Sequence, residues 1–250
     1  MPYGICPLSI VPVRSLAEDA SEMLTQLLYG DHFKILEERK KWSKIRIGFD
    51  HCEGWIRKNQ WYPISEDQFK TLETYEDVKF SADLVSVVCT DNDMLIPVVL
   101  GSSIAHTNIL PHRFDGNYSM DQNRKSGLVD TALLYLNAPY LWGGKTPFGI
   151  DCSGLTQMVY RIHGCPLKRN AGEQATQGEA LSFIEESEAG DLAFFDNKEG
   201  VIDHVGIIMQ NNYIIHAHGK VRIDRLDHTG IFNTEENRYT HRLRVIKKIK

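Results

Sequence analysis

The chain has no stretch that approaches the roughly 20 consecutive apolar residues of a membrane span. Its opening, Met1-Pro2-Tyr3-Gly4-Ile5-Cys6-Pro7, has neither a basic n-region nor the apolar core of a secretory signal. It also lacks a long basic run, and with a net charge of −5 nucleic acid and anionic membrane are not expected partners. Cysteine is scarce. Cys6, Cys52, Cys89, Cys152 and Cys165 are an odd, widely spaced set that builds no disulfide framework and fits a reducing compartment. No internal repeat or low-complexity segment occurs. Together these absences predict a soluble, cytoplasmic protein. What is present, 42% hydrophobic and 24% charged residues, is ordinary globular composition, and 250 residues leave room for one large or two to three small domains.

The pattern changes along the chain and predicts three parts, at 1–62, 63–124 and 125–250. In 1–62, short β-rich runs at Ile10–Val13, His32–Leu36, Lys44–Ile47 and Trp55–Arg57 alternate with turn or charged segments, the spacing of a small barrel. In 63–124, Ala82–Thr90 and Met94–Leu100 read as strands in a loop-rich remainder, either a second barrel or an irregular β subdomain. From 125, a helical face of Leu128, Ala132 and Tyr135 precedes a loop and a second helix. Strand-like runs follow at Asp191–Phe195, Val201–Met209, Tyr213–Ala217 and Val221–Leu226, an α+β layout. The terminal Lys247-Lys248-Ile249-Lys250 reads as a solvated tail, and Asp191 beside Gly190 as a turn residue.

The chemistry concentrates at Asp151-Cys152-Ser153-Gly154. Upstream, Pro139 to Gly149 is rich in breakers; downstream, Leu155, Met158, Val159 and Ile162 follow helical spacing, with Gly164 as a stop. Cys152 therefore falls in the first turn of a helix, where unpaired N–H groups favour a thiolate, and its pKa is expected to be depressed. Asp151 is the natural N-cap. A thiol nucleophile needs a base, and the base needs a third group to orient it. His204 and His216 lie on consecutive strand-like runs joined at Gln210-Asn211-Asn212. A two-residue turn would send the two rings to opposite faces. A three-residue loop with Asn212 in the left-handed region pairs Gly206 with His216 and brings both rings to one face. His218 is expected to be a bystander.

These segments carry a resemblance. Pro139–Gly154, Leu167–Gln174, Gly190–Phe195, Asp203-His204-Val205-Gly206-Ile207 and Ile215-His216-Ala217 together resemble the NlpC-type cell-wall peptidases of the papain-like fold. Val11-Pro12-Val13-Arg14, Leu28-Tyr29-Gly30-Asp31, Trp42 to Ile47 and Glu53-Gly54-Trp55-Ile56 resemble the bacterial SH3-like domain. The resemblance implies a papain-like cysteine peptidase domain behind one or two SH3-like β-barrels, within the subgroup of γ-D-glutamyl-L-diamino acid endopeptidases. It further implies Cys152 as nucleophile, His204 as base and acid, and His216 as the orienting residue. The oxyanion would meet the Cys152 N–H and Tyr140, and Asp151, Ser153, Asn170 and Tyr140 would bind substrate. No cofactor is implied. The substrate would be a murein tripeptide or tetrapeptide, L-Ala-γ-D-Glu-diaminopimelate or its lysine counterpart, released from the wall and recycled in the cytoplasm. Two positions depart from the subgroup: Asn170 stands where an aspartate is usual, and Cys52 where a tyrosine is usual.

Rival readings are a zinc site drawn from Cys152, His204, His216 and His218, an inactive module that binds cell-wall peptide, and a general murein endopeptidase or amidase. Against zinc, the sequence has no Cys-x-x-Cys or His-x-x-x-His pair to nucleate a site.

Overall fold

The computed structural model describes residues 2–74, 79–105, 109–119, 125 and 127–249. The chain divides into two compact units, Met1–Asp121 and Gln122–Lys250; position 124 itself lies outside the described residues.

In the first unit, seven antiparallel strands lie in the order Met23–Leu28, Ile10–Arg14, Glu53–Arg57, Trp42–Ile47, His32–Glu38, Tyr3–Ile5 and Tyr62–Ile64. The runs read from the sequence fall within these strands. Their period-2 alternation turns Val11, Val13, Ile35, Ile45, Ile47 and Ile56 inward around Phe33 and Leu27. Beyond Tyr62–Ile64, Ser65 caps the helix Glu66–Glu73: its hydroxyl accepts from the Gln68 N–H at 3.1 Å while the Gln68 side chain accepts from the Ser65 N–H. A three-stranded sheet of His112–Phe114, Val85–Thr90 and Leu95–Val99 completes the unit. Phe69, Leu72, Val88, Val98 and Leu110 share one apolar cluster with Ile5 and Ile64 of the first sheet and with Tyr29, in the turn after Met23–Leu28. The described part of 63–124 is thus a helix and a small sheet that share a core with residues of the first sheet.

In the second unit, the helices Leu128–Leu133, Cys152–Ile162 and Ala171–Gln174 precede most of the sheet. Six antiparallel strands form a closed ring: Leu192–Asp196, Ile202–Met209, Tyr213–His218, Lys220–Leu226, Gly230–Asn233 and Arg238–Lys248, the last pairing back to the first. Glu179–Leu181 adds a further strand on Arg238–Lys248. Ala193, Phe195, Ile208, Ile214, Leu226, Ile231 and Ile246 fill the ring, and the Cys152 helix packs against Ile202–Met209 and Tyr213–His218.

The solvated tail expected at the C-terminus is not there. Lys247 and Lys248 belong to a strand held on both sides, with Lys247 opposite both Ala180 and Leu192; Lys250 lies outside the described residues. Backbone pairing decides the matter, because lysine side chains reach water from a strand while their amides stay in the ladder. Among the described residues no helix is long and apolar enough to cross a membrane.

Candidate active site

Asp151 starts the Cys152 helix as its N-cap, accepting from the Gly154 N–H at 2.7 Å. The cap requires close approach of the preceding loop. A Cβ on Gly154 would sit 2.3 Å from the Gly144 carbonyl oxygen, so only glycine fits there. The N–H of Cys152, in the first turn, has no intrahelical acceptor and is free to receive an oxyanion. Every residue of this helix is buried.

The hairpin that carries the histidines has the three-residue loop expected from the sequence. Gly206 pairs with His216 and Met209 with Tyr213. Asn212 has φ +60°, and so does Asn211 at +59°, so asparagine's tolerance of the left-handed region is used twice. A Cβ on Gly206 would come within 2.9 Å of His216 Cβ, so glycine clears the space beside the ring. Both histidines share the face of Ile208 and Ile214, and they meet: His204 Nε2–H donates to His216 Nδ1 at 2.8 Å.

The direction of that bond is set from the next strand. His216 Nε2–H donates to Asp224 Oδ2 at 3.0 Å, which leaves Nδ1 of His216 as an acceptor. His204 must then carry its proton on Nε2, and its Nδ1 is left bare as a base. Asp224 is itself clamped by Arg222, whose Nε and Nη2 donate to its two oxygens at 2.7 and 3.0 Å. Burial alone would raise the Asp224 carboxyl, but the hydrogen bonds from His216 and Arg222 outweigh it and hold the acid ionised well into acidic solution. Neither Asp224 nor Arg222 was singled out in the sequence. The signal available was a pair of charges two residues apart in a strand whose neighbours Val221 and Leu226 are apolar.

The thiol reaches the backbone on either side of the base. Cys152 Sγ–H points to the Asp203 carbonyl at 3.9 Å, and the Val205 N–H is aimed at the sulfur. The expected depressed thiol pKa is not found. Burial first, and then the nearby Asp151 carboxylate, push it up to about 12. His204 moves the other way, well below its usual value, through burial and then the neighbouring histidines. The resting pair is therefore a neutral thiol and a neutral imidazole, because burial disfavours the charged form of each and the helix terminus that should favour a thiolate already holds the Asp151 carboxylate.

Asp151 is a second correction. Expected to bind substrate, it is only 5% exposed. Its carboxylate accepts from Gly143 N–H, Gly154 N–H, Ser153 Oγ and both Nη atoms of Arg169, the last two at 3.0 and 2.6 Å. A carboxylate offers about four lone-pair positions, so none remains for a ligand ammonium. Ser153, also expected at the substrate, is buried in the same network, its Oγ accepting from Arg169 Nη1 at 2.9 Å. Gln174 ties this region together, donating to the Ser153 and Lys168 carbonyls and accepting from Thr156. Asn170 and Tyr140 are exposed. Burial first, and then neighbours that include the Asp151 carboxylate, push the Tyr140 hydroxyl up to about 12, so it stays a donor.

His241, from the strand hidden in the supposed tail, stacks on His204 with centroids 4.0 Å apart; burial and adjacent histidines push its pKa down to about 3. His218 contacts the His204 and His216 rings but bonds to neither. Among the described residues, only His204, His216 and His241 gather nitrogens closely enough to suggest a metal. The rings of His204 and His241 are within 22° of parallel, so their in-plane lone pairs do not converge, and both nitrogens of His216 are engaged. The set fits a ring stack better than zinc.

Comparison with known proteins agrees with this geometry. Residues 137–239 match the NlpC/P60 family and residues 13–60 the bacterial dipeptidyl-peptidase Sh3 domain. The γ-D-glutamyl-L-lysine dipeptidyl-peptidase of Bacillus cereus is 25% identical over 228 residues, spanning 80% of this chain and 68% of that protein. The dipeptidyl-peptidase 6 of Lysinibacillus sphaericus is 27% identical over 247 residues, spanning 83% and 85%. The probable endopeptidase p60 of Listeria welshimeri is 39% identical over 106 residues, 41% of this chain and 20% of that one. Among solved structures, an NlpC/P60 family protein from Bacillus cereus superimposes with a TM-score of 0.77 at 17% identity, covering 98% of this chain and 99% of that one, which establishes the shared fold. A papain-like cysteine-peptidase domain of the NlpC/P60 family, preceded by a bacterial SH3 domain, is what this chain comprises.

Proposed function

We propose that the protein hydrolyses the γ-D-glutamyl bond to the diamino acid in L-Ala-γ-D-Glu-diaminopimelate or -lysine peptides that carry a free amino end. The observation that carries the reading is the bonded chain His204–His216–Asp224, on a strand whose Asp203 carbonyl and Val205 N–H, the residues flanking His204, meet the Cys152 thiol, in a family whose relatives over most of the chain bear dipeptidyl-peptidase names. His204 Nδ1 takes the Cys152 proton as Sγ attacks the γ-carbonyl carbon. The tetrahedral oxyanion meets the Cys152 N–H and the Tyr140 hydroxyl, donors of a kind worth about 2.7–4 kcal/mol each. The protonated His204 then gives its proton to the departing amine, leaving a thioester. Water, deprotonated by His204, attacks the thioester and regenerates the thiol.

The amino end needs a different anion from Asp151. Asn170 Nδ2 donates to Glu173 Oε2 at 3.3 Å, so a carboxylate stands one turn from the exposed amide. In this reading the Asn170 carbonyl and Glu173 together receive the α-ammonium, and the released peptides are recycled inside the cytoplasm. The p60 matches favour a second reading, a general murein endopeptidase.

Free tripeptide, its N-acetylated form and intact sacculi, each offered to the protein and to Cys152→Ala, separate these readings. Release of L-Ala-γ-D-Glu from the free tripeptide alone, absent in Cys152→Ala, is expected. Equal cutting of acetylated peptide or sacculi overturns the free-amine requirement in favour of the endopeptidase. Binding without cleavage makes the chain a recognition module.

A further inference from the structure

Beside His204 opens a cavity of about 670 Å³ whose walls include Asp196, Lys198, Asp203, His241 and Arg242. None of Cys152, Tyr140, Ser153 or Asn170 lines it. General acid catalysis places the leaving nitrogen within hydrogen-bond reach of the histidine that protonates it. The part of the substrate that departs must therefore lie on the histidine's own side, where this cavity is.

The charges around it are not spent on one another. Asp196 has a side chain 5% exposed; among the described residues its Oδ1 has no hydrogen-bond partner and its Oδ2 has only the Arg244 Nε, at 3.9 Å. A buried carboxylate oxygen left without a donor is costly and uncommon. Arg242 is the Cα partner of Asp196 on the adjoining strand, yet makes no ion pair with it. The sheet register slips on both sides here, between Phe195 and Asp196 against one neighbour and between Phe194 and Phe195 against the other. Bulges of this kind re-aim side chains next to active sites. Asp203 faces the cavity with its carboxyl raised, first by burial and then by the Asp196 charge. Lys198 and Arg242 are exposed and have no ion-pair partner among the described residues. Two acids and two bases thus border one space next to the proton donor, and among the described residues the one ion pair that any of the four makes is that of Asp196 with Arg244, at 3.9 Å.

We propose that this cavity is the subsite of the departing diamino acid and selects the zwitterionic end of diaminopimelate, its ammonium against Asp196 and Asp203 and its carboxylate against Lys198 and Arg242, over the plain ammonium of lysine. The assignment rests on the γ-D-glutamyl reading above. A lysine side chain satisfies the acids and leaves the bases unmatched; a neutral side chain satisfies neither. The α-carboxylate of the third residue is common to all such tripeptides and cancels from the comparison.

The test measures kcat/KM for L-Ala-γ-D-Glu-X with X as meso-diaminopimelate, L-lysine or Nε-acetyl-L-lysine. Charge-assisted hydrogen bonds set the scale, about tenfold or more per matched charge. Diaminopimelate should exceed lysine by about tenfold, and lysine should exceed acetyl-lysine by a similar factor. Arg242→Gln, at an exposed position, should collapse the first ratio toward one. Asp196→Asn should collapse the second. Equal rates on the three peptides, or ratios untouched by both variants, overturn the subsite while leaving the γ-D-glutamyl reading in place. Failure to cut any of the three overturns that reading instead.

Discussion

Asp224→Asn isolates the electrostatic part of the relay. Asp224 Oδ2 accepts from both His216 and Arg222 Nε, so the amide oxygen takes that position and preserves the hydrogen-bond direction along His216 to His204. What is lost is the negative charge, together with the hydrogen bond that Arg222 Nη2 donates to Oδ1. In the transition state a positive charge develops on His204, whose Nε2 lies 2.8 Å from one nitrogen of the His216 ring while Asp224 Oδ2 lies 3.0 Å from the other. Across the resulting separation of about 8 Å, at an effective dielectric constant of about 20, this is worth about 2 kcal/mol, reduced to about 1–2 kcal/mol by the opposing Arg222 guanidinium. A fall in kcat of roughly 5–30-fold is expected, read in steady-state hydrolysis of the free tripeptide. A second readout separates this from general disruption. The carboxylate favours the imidazolium, so removing it lowers the histidine pKa, and the acid limb of the kcat/KM profile should move to lower pH as the plateau drops. Asp224→Glu should restore part of the rate. An unchanged kcat, or an acid limb displaced upward, refutes the role given to Asp224.

Other outcomes follow from the same geometry. With the Cys152 thiol raised to about 12 and no imidazolium beside it, alkylation of Cys152 by iodoacetamide should accelerate about tenfold per pH unit between 6 and 8; rapid, pH-independent labelling at pH 6 would mean a resting thiolate. His204, His216 and His241 have lowered pKa values, so below about pH 6.5 the unfolded chain takes up protons the folded chain refuses. Stability is therefore fully present above that pH and declines toward the folded-state values, about 3 for His241, by about 1.4 kcal/mol per pH unit per histidine. Urea denaturation at pH 7.5 and 5.5 checks this, with His241→Phe expected to shrink the difference. In the hairpin, Asn212→Gly should be neutral or mildly stabilising in thermal unfolding, whereas Asn212→Val should cost about 1–2 kcal/mol.

How much of this was legible in the sequence depended on how local each cause is. The start of the Cys152 helix, its aspartate cap and the register of the histidine hairpin are set within a dozen residues, and spacing with turn chemistry was enough to place them. The fold class followed from the resemblance. Asp224 was missed because a charge in a strand ordinarily reads as outward; it is buried only because His216 meets it from the neighbouring strand and Arg222 from two residues earlier on its own. His241 was missed with its strand, since Leu243 and Val245 alternate with arginines over too short a run to stand out from a lysine-rich end. Asp151 was read both as cap and as ligand-binding acid; only the distant guanidinium of Arg169, eighteen residues on, shows the second role to be filled. The same anion at the helix start explains why helix position alone mispredicted the thiol.

The central claim is that Cys152 attacks the γ-carbonyl of D-glutamate. Acid-quenched turnover of L-Ala-γ-D-Glu-diaminopimelate, read by intact-mass and peptide mass spectrometry, tests it most directly. The account predicts an acid-stable thioester adduct whose added mass is L-Ala-γ-D-Glu less one water, located on Cys152 and absent from Cys152→Ala, which should also release no dipeptide. Dipeptide release that persists in Cys152→Ala, or an adduct on Cys6, Cys52, Cys89 or Cys165, contradicts it.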